Sequence, residues 1–548
     1  MRSRLSIILC LVLSAHALAQ SPFEPPQAKI QFAPDRQFDL QHVKVSLSVD
    51  YPNRSISGYS ENTIAPFSDG LATLDFHCGE ALRVATCSVD GRPATFTRSG
   101  NMVKIVPPAR TVRGKSQVVR IVYSGTKRGS AGRLMSDAGW HFIEPNGREA
   151  NREGFWTQGE TEENRHWAPT WDYPNDTATS ETVVTVPGTW TVIGNGSLQS
   201  ARTNSDGTKT FHWKMTQPHV TYLISLVGGP LDLKKDVWSG VELIYAVPKG
   251  MGDKIDASFS VTPKMLAHFS DIFGVKYPWS KYAQSCMYDF GGGMENVSAT
   301  TLGIQGLGGN LEGLIAHELG HQWFGDLVTC KSWGDIWLNE GFATYCGALW
   351  EEKARGKAAY QAAVEGNFAG YAGEKNLRAL STQMYSHGDA MFDGQSYGKG
   401  AVILHMLRRH VGDQAFFAGI KLYLTRFRHM PVETDDFRQC VSETSGLDLE
   451  SWFDQWVFKR GHLEIETAWS HANGKVEVKV RQTQDTSKGT PYYTFDTVVE
   501  FKNGTSVTRK PIRISGKETT ASFDMPMKPD SVVVDPDHDI LAVRKSAN

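Results

Sequence analysis

The sequence predicts an α+β multidomain protein, with a β-rich N-terminal part, a mainly α middle third and a C-terminal β-sandwich. Three observations carry that expectation. The chain has 548 residues, and at roughly 100–200 residues per domain that is room for several domains with full cores. Apolar residues alternate with a period of two from about residue 38 to 230 and again from 463, and fall at helical spacing between. Hydrophobic residues make up 40% and charged residues 21%, an ordinary globular balance that leaves little room for a low-complexity tract.

Residues 1–19 read as a signal peptide. Arg2 and Arg4 precede an apolar run from Leu5 to Ala15, and Ala17-Leu18-Ala19 offers a small-x-small cleavage pattern. The expected product is exported, to the periplasm or the medium, and starts near Gln20. The apolar run is about half the ~20 residues that a spanning helix needs, and no later run reaches that length, so the chain is not expected to span a membrane. Lys plus Arg number 57 against 59 Asp plus Glu, a formal charge of -2. That balance excludes nucleic-acid binding driven by bulk charge. Six cysteines follow the leader: Cys78, Cys87, Cys286, Cys330, Cys346 and Cys440. They are too few for a disulfide framework and none has CxxC spacing; Cys78–Cys87 is the one pair that proximity in sequence suggests.

Residues 20–231 form the expected β-rich domain. Val43, Val45, Leu47 and Val49 alternate with polar partners, as do Val119, Ile121 and Tyr123, and Val183, Val184 and Val186 recur after the Pro174-Asn175-Asp176 turn. Residues 232–461 are expected to be mainly α, with helical spacing at 257–273, 311–325, 337–355, 400–410 and 413–427. Gly291-Gly292-Gly293, taken alone, reads as a turn. Residues 462–548 return to strands at Leu463/Ile465, at Val476/Val478/Val480 after Asn473-Gly474, and at Val498-Val499 and Phe501 before Asn503-Gly504.

The chemistry concentrates at His317-Glu318-Leu319-Gly320-His321. On a helix the two histidines lie one turn apart on one face, so both imidazoles reach one ion at about 2.0–2.1 Å. Glu318 is rotated off that line, placed to activate a metal-bound water without ligating the metal. A plain amphipathic helix would have to bury two imidazoles beside Ile315, Leu319, Trp323 and Phe324 without partners, at several kcal/mol. The metzincin pattern needs Gly and His at positions occupied here by Phe324 and Leu327. Glu340, 19 residues after His321, opens a further helical stretch that can fold back antiparallel. His317, His321 and Glu340 would leave a fourth zinc position open, the mark of a catalytic site.

Four motifs in order make the sequence resemble the aminopeptidase N family of zinc metallopeptidases, which includes the leukotriene hydrolases. They are Gly292-Gly293-Met294-Glu295-Asn296, His317 to Asp326, Trp337-Leu338-Asn339-Glu340-Gly341, and Tyr397-Gly398-Lys399-Gly400. The resemblance implies a saddle-like N-terminal sheet domain, a thermolysin-like catalytic domain, a small β-sandwich and one catalytic zinc ion. It implies hydrolysis of the N-terminal peptide bond of peptides with a free N terminus. Glu295 would bind the substrate α-amine, since a carboxylate at the closed end of a groove pairs with an ammonium. Glu160, in Thr157-Gln158-Gly159-Glu160 ahead of Arg165, matches the second amine-binding residue, although Glu162 and Glu163 beside it also fit a solvated acidic loop. Gly292, Gly293 and Met294 would line the strand edge along which substrate backbone pairs. Tyr397 would stabilise the oxyanion.

Departures from the family pattern bear on specificity. Asp289-Phe290-Gly291 is one residue shorter than in many relatives, and Val297-Ser298 stands where Trp-Gly or Lys-Gly is frequent. The long C-terminal helical domain of many members has no counterpart, so the groove is expected to be open to long peptides or closed by a second subunit in a homo-oligomer. A peptide-capture protein without turnover and a lipid-epoxide hydrolase are the rival readings. No feature of the sequence favours either.

Overall fold

The computed structural model describes residues 27–125, 139–146, 152–374 and 377–546; the expected signal peptide lies outside them. An eight-stranded sheet dominates the N-terminal part, in the order Ser197–Thr203, Lys209–His219, Ala178–Val186, Phe38–Asp50, Ser55–Pro66, Gln117–Gly125, Arg83–Val89, Arg92–Ala94. Every pairing is antiparallel except Ala178–Val186 against Phe38–Asp50. The alternation read from the sequence is the burial pattern: Val43, Val45, Leu47, Val119, Ile121 and Tyr123 all face the core. A second sheet of four strands, Gly139–Ile143, Gly154–Gln158, Leu226–Gly229 and Thr191–Gly194, carries at the end of Gly154–Gln158 the loop that holds Glu160.

The middle region opens with a five-stranded mixed sheet that the helical spacing gave no hint of: Leu231–Trp238, Val241–Pro248, Lys281–Met287, Ala299–Gly303 and, at the edge, Gly293–Met294. Lys281–Met287 and Ala299–Gly303 pair in parallel and are buried along their whole length. Strands covered on both faces lose the period-two signature that would reveal them. Three helices build the site beneath this sheet: α1 (Glu312–His321), α2 (Trp337–Arg355) and α3 (Gly400–Val411). Helices α2 and α3 cross at Gly341 and Gly400, where a Cβ on Gly341 would lie 2.9 Å from the Gly400 Cα. Only glycine allows so close a backbone approach.

The expected helix at 257–273 is two, Ile255–Phe259 and Thr262–Ile272, and α1 ends at His321 instead of 325. Four more helices, Lys357–Ala372, Asp413–Arg426, Thr434–Ser445 and Glu450–Trp456, complete the described helical layer. Thr434–Ser445 starts at a capping box in which Glu433 and Asp436 satisfy each other's backbone N–H. The C-terminal part is two facing sheets, one ordered Glu518–Asp524, Lys475–Gln482, Glu464–Ala472, Val543–Ser546 and the other Ser506–Ile514, Phe495–Asn503, Ser531–Val534. Ile465, Val476, Val478, Val480, Val499, Phe501 and Ile514 fill the space between. These parts match the architecture that the sequence predicts. No described helix is long and apolar enough to cross a membrane.

The suggested Cys78–Cys87 bridge is absent: both are free thiols, as are the other four described cysteines, and all six are buried. Burial pushes Cys78 up to about 11 and Cys87 to about 12. A thiol kept protonated in an apolar core is a small hydrophobe with little nucleophilic character.

Candidate active site

The last turn of α1 and the first turn of α2 meet at one point. Glu340 Oε2 lies 3.3 Å from His317 Nε2 and 3.3 Å from His321 Nε2, and the two imidazole nitrogens are 3.1 Å apart. Ligand atoms about 2.0–2.1 Å from a tetrahedral zinc stand some 3.3 Å from one another, so this triangle has the size of one face of such a site. His321 Nδ1–H donates to the Phe324 carbonyl at 2.9 Å, which fixes the tautomer and turns the Nε2 lone pair toward the centre. Glu340 Oε2 is buried without a hydrogen-bond donor. Two imidazole nitrogens and a buried carboxylate oxygen converging on one point are a donor set that fits a zinc ion.

Glu318 projects from α1 beside this centre, 4% exposed, its Oε2 without a partner. Its place is secured by an absence on the facing strand. A Cβ on Gly293 would lie 2.2 Å from Glu318 Oε1, whereas one on Gly292 would meet nothing. Gly293 is therefore glycine because the Glu318 carboxylate occupies the volume of its side chain. Gly292 meets a different demand, a backbone φ of +67°. Gly293–Met294 is the outer strand of its sheet, so its free edge is open to another extended chain. The Met294 side chain is buried.

Glu160, Glu295 and Glu340 present carboxylate oxygens all within 4.8 Å of one another. Glu160 is thereby separated from its acidic neighbours. Glu162 pairs with Arg165 at 2.6 Å and Glu163 Oε2 lies 3.1 Å from His166 Nε2 without a directed hydrogen bond, while Glu160 is buried and its Oε1 has no partner. Glu295 Oε1 is likewise buried without a hydrogen-bond partner, 3.9 Å from His321 Nδ1. Burial, then the charge of Glu295, raises the Glu160 carboxyl well above the carboxylate range; burial raises Glu295 and Glu318 too. Burial also acts upward on Glu340, but His321 and His317 outweigh it and hold Glu340 down. Four carboxylates buried in one pocket make a strong demand for cations, which a divalent metal and an ammonium together would meet.

Tyr397 lies in a π-helical turn, Gln395–Lys399, that runs into α3. Its ring stacks on His317 with centroids 5.9 Å apart and planes at 14°. Burial, then the charge of Glu340, lifts its phenol well above the ordinary range, so the hydroxyl remains a donor. The structure thus gathers His317, His321, Glu340, Glu318, Glu295, Glu160 and Tyr397 around one centre. Gln322 is a member of the cluster that sequence reasoning passed over. Its Nε2–H donates to the Glu295 carbonyl at 2.8 Å, and its Oε1 accepts from the Ser298 N–H at 2.9 Å and the Tyr277 hydroxyl at 3.2 Å. One buried amide thereby pins the Glu295 loop to the end of α1. Its position directly after His321 was the available signal.

This fold and this triangle define a site suited to one metal ion, with two histidines of one helix and a glutamate of the next as its donor set. The chain matches the Peptidase M1 N-terminal domain over residues 41–223 and the Peptidase family M1 domain over residues 257–456, and it belongs to that family. It is 28% identical over 477 residues to probable aminopeptidase 2 of Sulfurisphaera tokodaii, a match covering 80% of this chain and 57% of that protein. It is 30% identical over 365 residues to aminopeptidase N of Streptomyces lividans, covering 60% of this chain and 40% of that protein. The chain thus spans about half the length of these relatives. An M1 zinc metallopeptidase of Deinococcus radiodurans superposes with a TM-score of 0.69 at 27% identity, covering 81% of this chain and 98% of that one. A mutant of that enzyme has been solved bound to a Tyr-Ser-Ala substrate.

Proposed function

We propose that the chain is an exported zinc aminopeptidase that releases residues one at a time from the free N termini of peptides. The observation that carries this reading is the carboxylate seat of Glu160 and Glu295 directly beside the metal ligands. An ammonium bound there has only the first peptide bond within reach of the centre, which makes the seat a ruler one residue long.

His317, His321 and Glu340 would hold the zinc, which when bound supplies Lewis-acid polarisation of the scissile carbonyl and eases deprotonation of water. Glu318 takes the proton of the attacking water and passes it to the leaving amine; its burial raises the carboxylate's affinity for the proton it takes. Tyr397 donates a hydrogen bond to the carbonyl oxygen as charge develops there. Glu160 and Glu295 bind the α-ammonium, and the open edge of Gly293–Met294 pairs with substrate backbone.

The test is hydrolysis of a panel of aminoacyl arylamides by the mature protein, with chelator and with zinc added back. Release that is lost on chelation and restored by zinc is expected; no release across the panel with zinc bound would overturn the reading. The ruler has its own test. Glu295→Ala is expected to raise KM for free-amine substrates by about 10–100-fold, the loss of a buried charge-assisted pair. N-acetylated peptides should be poor substrates of the parent enzyme and should not respond to the substitution, and an equal response from both substrates would remove Glu295 from the amine seat.

A further inference from the structure

Arg378 lies outside every motif, yet it is the most heavily committed arginine in the catalytic region. It is 1% exposed. Its Nε donates to Asp393 Oδ2 at 3.0 Å and its Nη2 to Asp393 Oδ1 at 2.7 Å, a two-pronged pair. Nη2 also reaches Ser396 Oγ at 2.7 Å and the Met391 carbonyl at 3.0 Å, while Nη1 donates to the Ala379 and Leu380 carbonyls at 2.9 and 3.0 Å.

What the guanidinium holds is the turn that presents Tyr397. Asp393 Oδ1 accepts the backbone N–H of Gln395 at 3.1 Å and of Ser396 at 3.2 Å, and the Asp393 carbonyl accepts that of Tyr397 at 3.2 Å. Ser396 Oγ in turn donates to the Met391 carbonyl at 2.6 Å. The π-helical turn is therefore closed at its start by a carboxylate whose own orientation is fixed by Arg378. The same segment reaches the second half of the site. Ser381 Oγ donates to Asp335 Oδ1 at 2.7 Å, and Asp335 stands in the short turn that leads into α2 and Glu340.

We propose that Arg378, acting through Asp393 and Ser396, is a positioning residue that sets the phenol of Tyr397 against the metal centre. The proposal rests on the role given above to Tyr397 and adds the part of the chain that makes that role possible. A planar fork with five N–H donors spans both oxygens of Asp393 and four further acceptors at fixed angles, the Nη2 donors being shared. Lysine supplies the same charge from a single nitrogen, so it cannot grip both oxygens of Asp393 from two sides and also hold the Ala379 and Leu380 carbonyls that Nη1 reaches. A donor displaced by a fraction of an ångström from the oxygen that gains charge loses most of its value in the transition state and little in ground-state binding.

The experiment is a double-mutant cycle between Arg378→Lys and Tyr397→Phe, read as kcat and KM on one aminoacyl arylamide, with zinc content measured on every variant. Arg378→Lys is expected to lower kcat by about 10–100-fold with KM within about threefold and one zinc per chain retained. In the Tyr397→Phe background it is expected to lower kcat by no more than about threefold, because the donor it positions is gone. The same factor in both backgrounds, or an unchanged kcat in Arg378→Lys alone, would overturn the proposal. A normal kcat in Tyr397→Phe alone would instead overturn the oxyanion role, so the two failures are told apart. Ser396→Ala removes one link without stranding a buried charge; it is expected to show the same dependence on Tyr397 with a smaller loss, and decides the matter should Arg378→Lys fail to fold.

Discussion

Glu318→Gln is expected to lower kcat by about 10³-fold or more, within the range that a positioned general base contributes, while zinc content and KM stay close to those of the parent. The glutamine amide has the volume of the carboxylate and fits beside Gly293, so the packing on the facing strand survives. It lacks only the capacity to accept a proton and give it back. Glu318 Oε2 has no hydrogen-bond partner within the protein, so the exchange leaves no donor of the fold unsatisfied and the effect is confined to the chemical step. Kinetics on an aminoacyl arylamide, together with zinc determined by atomic absorption, check this. A variant within threefold of the parent kcat and carrying full zinc would mean that another group moves the proton, and would revive the view of the site as one for capture.

The parts of this site legible in the sequence are those whose spacing is itself the chemistry. Two histidines four apart on a helix share a face whatever the rest of the chain does, and Glu340 stood out because it opens a helical stretch that can fold back to them. The β-rich ends were legible because half-buried antiparallel strands write their burial in period two, as Val43, Val45 and Leu47 do. The five-stranded sheet of the middle region was not, because Lys281–Met287 is buried on both faces and leaves no alternation to read. Glu160 could be named but not separated from Glu162 and Glu163, since only the fold shows which of the three lacks a basic partner. Arg378 gave no signal, because its worth lies in acceptors that lie some 13–18 residues away along the chain and come together only in the folded turn. Cys78 and Cys87 misled for the opposite reason: nearness in sequence says nothing about whether two thiols meet.

Gly293→Ala is the second substitution with a large expected effect, and it separates two accounts of the glycine pair. If both glycines served only to let substrate backbone approach the strand, a methyl group at 293 would weaken binding and raise KM with kcat intact. The geometry leads elsewhere. The added Cβ would lie 2.2 Å from Glu318 Oε1 and 2.4 Å from its Cδ, far inside van der Waals contact. Either the carboxylate swings away or the strand shifts, and the base is displaced by the order of 1 Å, a misplacement worth about 100-fold in rate. The expected result is therefore a kcat lower by about two orders of magnitude with one zinc per chain retained. Gly292→Ala is the control: its Cβ meets nothing, so it bears only the strain of a left-handed backbone, about 1–2 kcal/mol of stability, and leaves kcat within a few-fold of the parent. In a Glu318→Gln background Gly293→Ala should cost almost nothing further in kcat, because the group it displaces no longer exchanges a proton. A full 100-fold loss in that background would place the defect on the substrate side of the strand and return Gly293 to the role first read from its motif.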